Sequence, residues 1–551
     1  MSVTRGADLL ISAMQQDSVE VLFTLSGNQI MPLFDASLDA EIRLVHSRHE
    51  AASVFMADGY AQASGKIGVA LVTAGPGFAN ALGALYSCQM SETPVILLSG
   101  DSPTHLDGMG AFQEMSQCDA ARPFVKHTER VSTADQLATA WQQAVEIAMQ
   151  GRPGPVHLSI PFDVLNAEVQ PLAQNHAAAP PSQPPQSTAV ASEISDIVAA
   201  LALAKRPLAL LGPAAWRRLS AASHRQLETT LQCPVIGMIS PRGLKDPSLG
   251  RFSDCLQAAD TVLLLDKKVD FTLGFGRAET LAGTRFLVVD AEASEVERSR
   301  AQLGSTCTHA LAMPFDTTCE QLQAAARGCS IPERGHWIGR CTEWLNTPPL
   351  DPQPQQAQLH SGTNGLWPGE LCQRVQHAIA GCKNALVICD GGEFGQWAQA
   401  MVTTDCRIIN GPSGAIGGSL PAAIGAALAR PDMTIFALLG DGTAGFHLSE
   451  FETAAREQAA FIAIIGNDST WNAEHQIQVR DYGAERTHNC MLAPDVRYQE
   501  AATALGACGY SASNLTELET ALTTSLQQTQ QAQRCCCINV QMRGLPAPAF
   551  K

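Results

Sequence analysis

Three clusters of residues in this chain carry chemistry by type and spacing. The first is Gly440-Asp441-Gly442, directly after the apolar run TIFALLG. The second, about 27 residues on, is Asn467-Asp468-Ser469-Thr470, directly after FIAIIG. Both runs read as buried parallel strands joined by one crossover through a helix-like stretch, Leu448–Gln458. Strands so joined are commonly neighbours with a right-handed connection. Ligands of open α/β sheets bind at the carboxyl ends of strands, so Asp441 and Asp468 are expected at one sheet edge. Two oxygen-bearing side chains near a helix N-terminus suit Mg²⁺ and a diphosphate, because hard Mg²⁺ takes oxygen ligands. Glycines there let the backbone approach a ligand closely. Each cluster alone has a plainer reading: Asp-Gly marks turns everywhere, and Asn-Asp-Ser serves as an N-cap or Asx-turn.

The third cluster is Glu50, which closes HSRHE after the short strand IRLVH and opens a helical segment, Ala51–Ser64. The plain reading is a helix cap. His46-x-x-His49-Glu50 superficially suggests zinc, but it is not H-E-x-x-H, and no third ligand motif accompanies it.

Together these motifs resemble the diphosphate and magnesium signature of thiamine-diphosphate (ThDP) enzymes, over nearly the whole chain. The chain resembles their acetolactate synthase-like branch, which also contains benzaldehyde lyase, oxalyl-CoA decarboxylase and 2-hydroxyacyl-CoA lyase. The resemblance implies ThDP and Mg²⁺ as cofactors, with the metal on Asp441, Asp468 and the Thr470 carbonyl. Gly440, Gly442 and Asn467 then belong to the cofactor site. Asp468 departs from the usual second Asn and adds one negative charge beside the diphosphate. Glu50 matches the glutamate that hydrogen-bonds the pyrimidine N1′ across a domain and subunit boundary. A carboxyl group there favours the imino tautomer, which removes the thiazolium C2 proton and leaves a nucleophilic ylide.

Other segments extend the likeness. Thr73–Asn80 (TAGPGFAN) resembles the family's glycine turn before a helix, which implies Gly75, Pro76 and Asn80 near the cofactor. Gly110–Glu114 resembles the loop that brings a glutamine, here Gln113, to the thiazolium. Gly414-Ala415-Ile416-Gly417 resembles the stretch that bends the cofactor. There the Gly414 carbonyl would accept from the 4′-amino group, and Ile416 would wedge between the rings; core packing is the plain reading of Ile416. Asp390-Gly391-Gly392-Glu393-Phe394 would line the diphosphate through Gly391 and Gly392. Glu393 either contacts substrate or caps the next helix.

These residues need a scaffold. Residues 171–189 and 346–358 are Pro-rich and polar, cannot propagate helix or sheet, and read as linkers. They leave an N-terminal pyrimidine-binding domain (1–170), a middle nucleotide-binding-like domain (190–345) and a C-terminal diphosphate- and Mg²⁺-binding domain (359–551). In each, apolar runs of four to eight residues alternate with helical stretches, among them IGVALVTA, TVLLLD and ALVICD. That pattern indicates parallel sheets covered on both faces, hence three doubly wound α/β domains. No short-period repeat is visible, and little chain follows the last strand to build an extended C-terminal lid.

Composition fits an enzyme. The 551 residues are 45% hydrophobic, so each domain can bury a core. The net charge of −17, with no basic tract, argues against nucleic acid and anionic membranes. No apolar run reaches about 18 residues, so no membrane span is expected. The 17 cysteines are scattered without C-x-x-C pairs and read as reduced thiols of a cytoplasmic protein.

The expected function is ThDP- and Mg²⁺-dependent making or breaking of a C–C bond next to a carbonyl, in a homodimer or homotetramer. The acetolactate synthase-like reaction, 2-oxo acid decarboxylation with carboligation, is the default; a 2-hydroxyacyl-CoA lyase is the alternative. 2-Hydroxy ketones also remain possible substrates. The middle domain holds FAD, a CoA/ADP moiety or nothing. Its Ser240–Leu244 and Val269–Arg277 segments look closer to the CoA-lyase type, with Arg242 and Arg277 either on a phosphorylated adenosine or in structural ion pairs. A non-catalytic ThDP-fold binding protein is disfavoured by the intact Glu50 and Asp441. A nicotinamide or flavin oxidoreductase is disfavoured because no G-x-G-x-x-G follows a first strand.

Overall fold

The computed structural model of the chain describes residues 4–169, 188–277, 281, 283–348, 365–409 and 412–548. Most of both Pro-rich segments lies outside the described residues. The described chain forms two compact units. One joins the residues up to Val169 with those from Gly365 on; the other comprises those between 188 and 348.

The first unit contains two six-stranded sheets, parallel throughout. The first sheet comprises β1 (Val21–Thr24), β2 (Arg43–His46), β3 (Gly68–Val72), β4 (Val95–Asp101), β5 (His127–Arg130) and β6 (Val156–Pro161), in the order β2-β1-β3-β4-β6-β5. The second unit's sheet comprises β7 (Pro207–Leu211), β8 (Val235–Gly237), β9 (Thr261–Leu265), β10 (Arg285–Asp290) and β11 (Cys307–Ala312), in the order β8-β7-β9-β10-β11. The C-terminal sheet comprises β12 (Ala385–Cys389), β13 (Cys406–Ile409), β14 (Thr434–Gly440), β15 (Ile462–Asn467), β16 (Cys508–Ala512) and β17 (Cys536–Gln541), in the order β13-β12-β14-β15-β17-β16. The doubly wound α/β class expected from the sequence is therefore the observed one. The two six-stranded sheets share one strand order although no repeat is legible in the sequence.

Burial explains the apolar runs. Every residue of β3, β4, β9 and β12 is buried, as strands covered on both faces require. The two six-stranded sheets share a core through the helices Glu50–Ser64 and Ser419–Ala429. These helices cross at glycines. A Cβ on Gly59 would lie 2.2 Å from the Ala422 carbonyl oxygen, and one on Gly425 would lie 1.9 Å from that of Met56. Backbone thus meets backbone, which only residues without a side chain permit.

All 17 cysteines are free, and Cys535, Cys536 and Cys537 are buried at the start of β17. Among the described residues no helix is long and apolar enough to cross a membrane.

Candidate active site

In the C-terminal sheet the chain turns one way from β12 to β13 and the other way from β14 to β15, so β12 and β14 flank a topological switch point. Open α/β sheets bind ligands in the crevice there. Asp390-Gly391-Gly392 follows β12, and Gly440-Asp441-Gly442 closes β14. Gly440 pairs with Gly466 of the neighbouring β15, which brings Asp441 and Asp468 off adjacent strand ends as expected.

Asp441 is buried. Its Oδ1 accepts the Gly442 N–H at 2.9 Å, while Oδ2 is buried with no hydrogen-bond partner. Burial pushes its pKa up to about 6. Asp468, also buried, accepts the Thr470 N–H at 3.1 Å. Burial first, then the charge of Asp441, pushes its pKa up to about 8. Asn467 Oδ1 accepts the Ser469 N–H at 3.1 Å, and its amide donates to Val496 O and Asn539 Oδ1. The Asx-turn reading therefore describes the local geometry of both residues and leaves Asp441 Oδ2 as the unsatisfied acceptor.

Asp390 shapes the facing loop. Its buried carboxylate accepts from Gly391 N (2.7 Å), Gly417 N (3.0 Å), Ser419 N (3.2 Å) and Ser419 Oγ (2.5 Å). Burial raises its pKa. These bonds hold the end of the Gly414–Gly417 stretch. Gly414 has φ +68° and open space where a Cβ would stand.

Glu50 is the first residue of its helix, with His49 as N-cap accepting the Ala51 N–H at 3.1 Å. Its Oε2 accepts from Asn80 Nδ2 at 3.0 Å, and a Cβ on Gly77 would lie 3.3 Å from Oε1. Gly75 has φ +59° before the helix Pro76–Met90, and a Cβ there would lie 3.0 Å from that of Gln113. The structure thus groups Glu50 with Asn80, and Gly75 with Gln113, whose Oε1 is buried and unpartnered. The described hydrogen bonds of Glu50 include none to residues 390–393, 414–417 or 440–442.

Sequence reasoning missed an aromatic wall. A Cβ on Gly442 would lie 2.7 Å from the Trp471 ring, and one on Gly417 would lie 2.5 Å from Phe446. The two rings meet edge to face at 6.4 Å. These glycines therefore admit rings, a second reason for their type. Glu393 also has a role not read from sequence. It is the second residue of the helix Gly392–Met401, whose N-cap is Gly391, accepts from Gln396 at 3.0 Å and takes the backbone N–H of Ala547 in the C-terminal tail. In the second unit, a Cβ on Gly243 would lie 2.1 Å from the Thr272 carbonyl oxygen, so the Arg242 and Arg277 segments pack together.

Two family models match the chain: "Thiamine pyrophosphate enzyme, N-terminal TPP binding domain" over residues 4–120 and its C-terminal counterpart over residues 390–540. A human protein named 2-hydroxyacyl-CoA lyase 2 is 30% identical over 566 residues, covering 92% of this chain and 85% of that protein. The chain belongs to the thiamine-diphosphate-dependent enzymes of the acetolactate synthase-like family. The ThDP enzyme is also 28% identical over 523 residues to an acetolactate synthase large subunit of Mycobacterium tuberculosis, covering 93% and 92% of the two chains. Its fold is that of a Rhodococcus jostii ThDP-dependent 4-hydroxybenzoylformate decarboxylase, with a TM-score of 0.77, 22% identity and 98% of this chain covered.

The ThDP enzyme's own residues fit the cofactor and a metal. An unpartnered buried carboxylate oxygen beside a second buried carboxylate is a donor set that a divalent cation satisfies. The open positive-φ glycine at 414 leaves room for a ring system.

Proposed function

We propose that this ThDP enzyme makes or breaks a carbon–carbon bond next to a carbonyl and that it requires Mg²⁺. The observation that carries the reading is the buried, unpartnered Asp441 Oδ2 beside Asp468 at the switch point. Asp441, Asp468 and the Thr470 carbonyl would hold Mg²⁺. Gly391, Gly392, Gly440, Gly442 and Asn467 would line the diphosphate. Gly414, Ile416, Gly75, Pro76, Asn80 and Gln113 would frame the rings. When bound, ThDP supplies a carbon nucleophile and takes up the electron pair of the breaking bond.

Glu50 handles the proton. Asn80 occupies Oε2, so Oε1 is the oxygen that holds and passes a proton at the pyrimidine nitrogen. Asn80 fixes the carboxylate's orientation. Gln113, with an unpartnered acceptor, orients a donor group on the substrate. The family resemblance has the pyrimidine-side glutamate and the diphosphate-side residues of one site come from different copies, so we place the complete site of Glu50 and Asp441 between copies, in a homodimer or homotetramer. Sedimentation of an active monomer would refute this. Free thiols throughout support a cytoplasmic setting.

For the substrate, a 2-oxo acid undergoing decarboxylation and carboligation is the first reading, in line with the acetolactate synthase relatives. The second is a 2-hydroxyacyl-CoA lyase, favoured by the packed Arg242 and Arg277 segments, which would meet an ADP moiety. FAD in the middle sheet belongs to the first reading and would give a flavin absorbance band. Product analysis with pyruvate and with a 2-hydroxyacyl-CoA decides between them. Glu50→Gln should abolish turnover and slow C2 proton exchange of bound ThDP by about 10²–10⁴; unchanged exchange refutes the proton role.

A further inference from the structure

The loop that carries Gln113 is tied at both ends to one buried carboxylate. Asp101, 3% exposed, is the last residue of β4 at the carboxyl end of the first sheet. There β6 lies between β4 and β5, so Ser159 of β6 and Arg130 of β5 stand side by side near it. Asp101 Oδ2 accepts from Ser159 Oγ and from Arg130 Nε, each at 2.7 Å. The Arg130 guanidinium also reaches the start of the loop, donating to both carboxylate oxygens of Asp107 at 2.8 Å. At the far end stands Gln117, 2% exposed. Its Nε2 donates to Ser159 Oγ at 3.0 Å and to Gly100 O at 2.9 Å, and its Oε1 accepts the Gly75 N–H at 3.3 Å.

Between these anchors the loop has little apolar burial. Residues 107–110 and Phe112 are exposed. Such a loop keeps one shape only through polar bonds. Glu114 supplies an internal set, accepting the backbone N–H groups of Gly108 (2.5 Å), Gly110 (2.9 Å) and Ala111 (3.0 Å). Gln113 itself takes a left-handed backbone, φ +62°, which a side chain disfavours and its surroundings must impose. It rests against the Gly75 turn, where a Cβ would lie 3.1 Å from the Gln113 carbonyl oxygen. Gln117 therefore grips both the end of the loop and the turn on which Gln113 rests.

We propose that Gln117 and Arg130, joined through Asp101, are positioning residues for the carbon–carbon bond reaction: they set where the Gln113 carboxamide meets the substrate. The inference rests on the orienting role given to Gln113 above. Groups that orient a substrate must be held within about 0.5 Å of the productive geometry, and a misplacement of about 1 Å costs about 10²-fold in rate. A loop released at either end would exceed that tolerance.

The test uses the enzyme saturated with ThDP and Mg²⁺, turning over pyruvate or a 2-hydroxyacyl-CoA. Gln117→Met removes the hydrogen bonds to Gly75, Gly100 and Ser159 at similar volume. Asp107→Ala, at a half-exposed position, releases the other end and leaves the core intact. Each should lower kcat/KM, Gln117→Met by about 10–100-fold. In both, amide hydrogen exchange over residues 104–116, read by mass spectrometry, should speed up about tenfold, with the C-terminal sheet unchanged. C2 proton exchange of bound ThDP, which Glu50 serves, should keep its original rate. The double variant Gln113→Ala/Gln117→Met should be no slower than Gln113→Ala alone, because the two residues act as a unit. Unchanged turnover in Gln113→Ala would overturn the orienting role of Gln113 and this proposal with it. A loss there with none in Gln117→Met or Asp107→Ala, C2 exchange falling in step with turnover, or additive losses in the double variant would overturn the positioning role alone.

Discussion

Glu450, on the helix that follows the Gly-Asp-Gly turn, accepts the backbone N–H of Arg48 at 2.9 Å, two residues before Glu50. The carboxylate is wholly buried and also takes the Thr453 hydroxyl at 2.7 Å. The same helix, Glu450–Arg456, donates from Thr453 and Arg456 to the His46 carbonyl, and Arg43 donates to Glu457 O at 2.7 Å. The loop that presents Glu50 is thus clamped by a helix about 400 residues away in the chain.

The first prediction concerns that clamp. Burial pushes the Glu450 pKa up to about 7, above its ordinary 4.5. The folded state then holds the proton more tightly than the unfolded one, so this group's contribution makes stability fall as pH rises from about 4.5 to about 7. Glu450→Gln keeps an acceptor for Arg48 and removes the titration. Its melting temperature relative to the unsubstituted enzyme should therefore rise between pH 5 and pH 8. An identical pH slope in both proteins would refute the assignment. Glu450→Ala should lose activity as well, because the Arg48 N–H is left without its acceptor, at a cost of about 1–3 kcal/mol.

Asp390 is expected to act on cofactor affinity. Asp390→Ala removes the acceptor of four hydrogen bonds to Gly391, Gly417 and Ser419. ThDP binding in a calorimetric titration should weaken at least about tenfold, with ultraviolet circular dichroism unchanged.

The two carboxylates at the strand ends predict a metal dependence. Asp441→Ala should remove Mg²⁺ and with it tight diphosphate binding. Asp468→Asn should be mild, and loss of ThDP binding in that variant would show the ligand assignment wrong. Protons compete with a cation for both groups, whose pKa values rise to about 6 and about 8. Stabilisation by Mg²⁺ should accordingly be larger at pH 8 than at pH 5, read as the shift in melting temperature.

The C-terminal tail supplies a fourth. Leu545 O accepts from Trp397 Nε1 at 3.3 Å and from Asn472 Nδ2 at 3.4 Å, and Ala547 N donates to Glu393. Glu393→Ala should loosen this strap. Trypsin should then cut after Arg543 several-fold faster, measured by mass spectrometry; an unchanged rate would mean the Glu393 bond does not hold the tail.

What the sequence determined by itself was local. Apolar runs such as TIFALLG and FIAIIG became buried parallel strands, because nothing but a doubly covered sheet hides so continuous a stretch of hydrocarbon. The adjacency of Asp441 and Asp468 followed from one short crossover. Boundaries were less legible: the stretch expected as a helix over Leu448–Gln458 is helical only at Glu450–Arg456, with turns at both ends. Tertiary structure decided the rest. A glutamate in a helix with Glu452 and Arg456 reads as part of a solvated face, yet Glu450 is buried because the strand end at His46 and the loop after it pack on it. Gly442 and Gly417 read as ligand approaches, and Trp471 and Phe446 also occupy the space they leave. Periodicity records which face of an element is apolar; it does not record which distant element covers that face, and burial, hydrogen-bond partners and carboxylate titration all depend on the covering element.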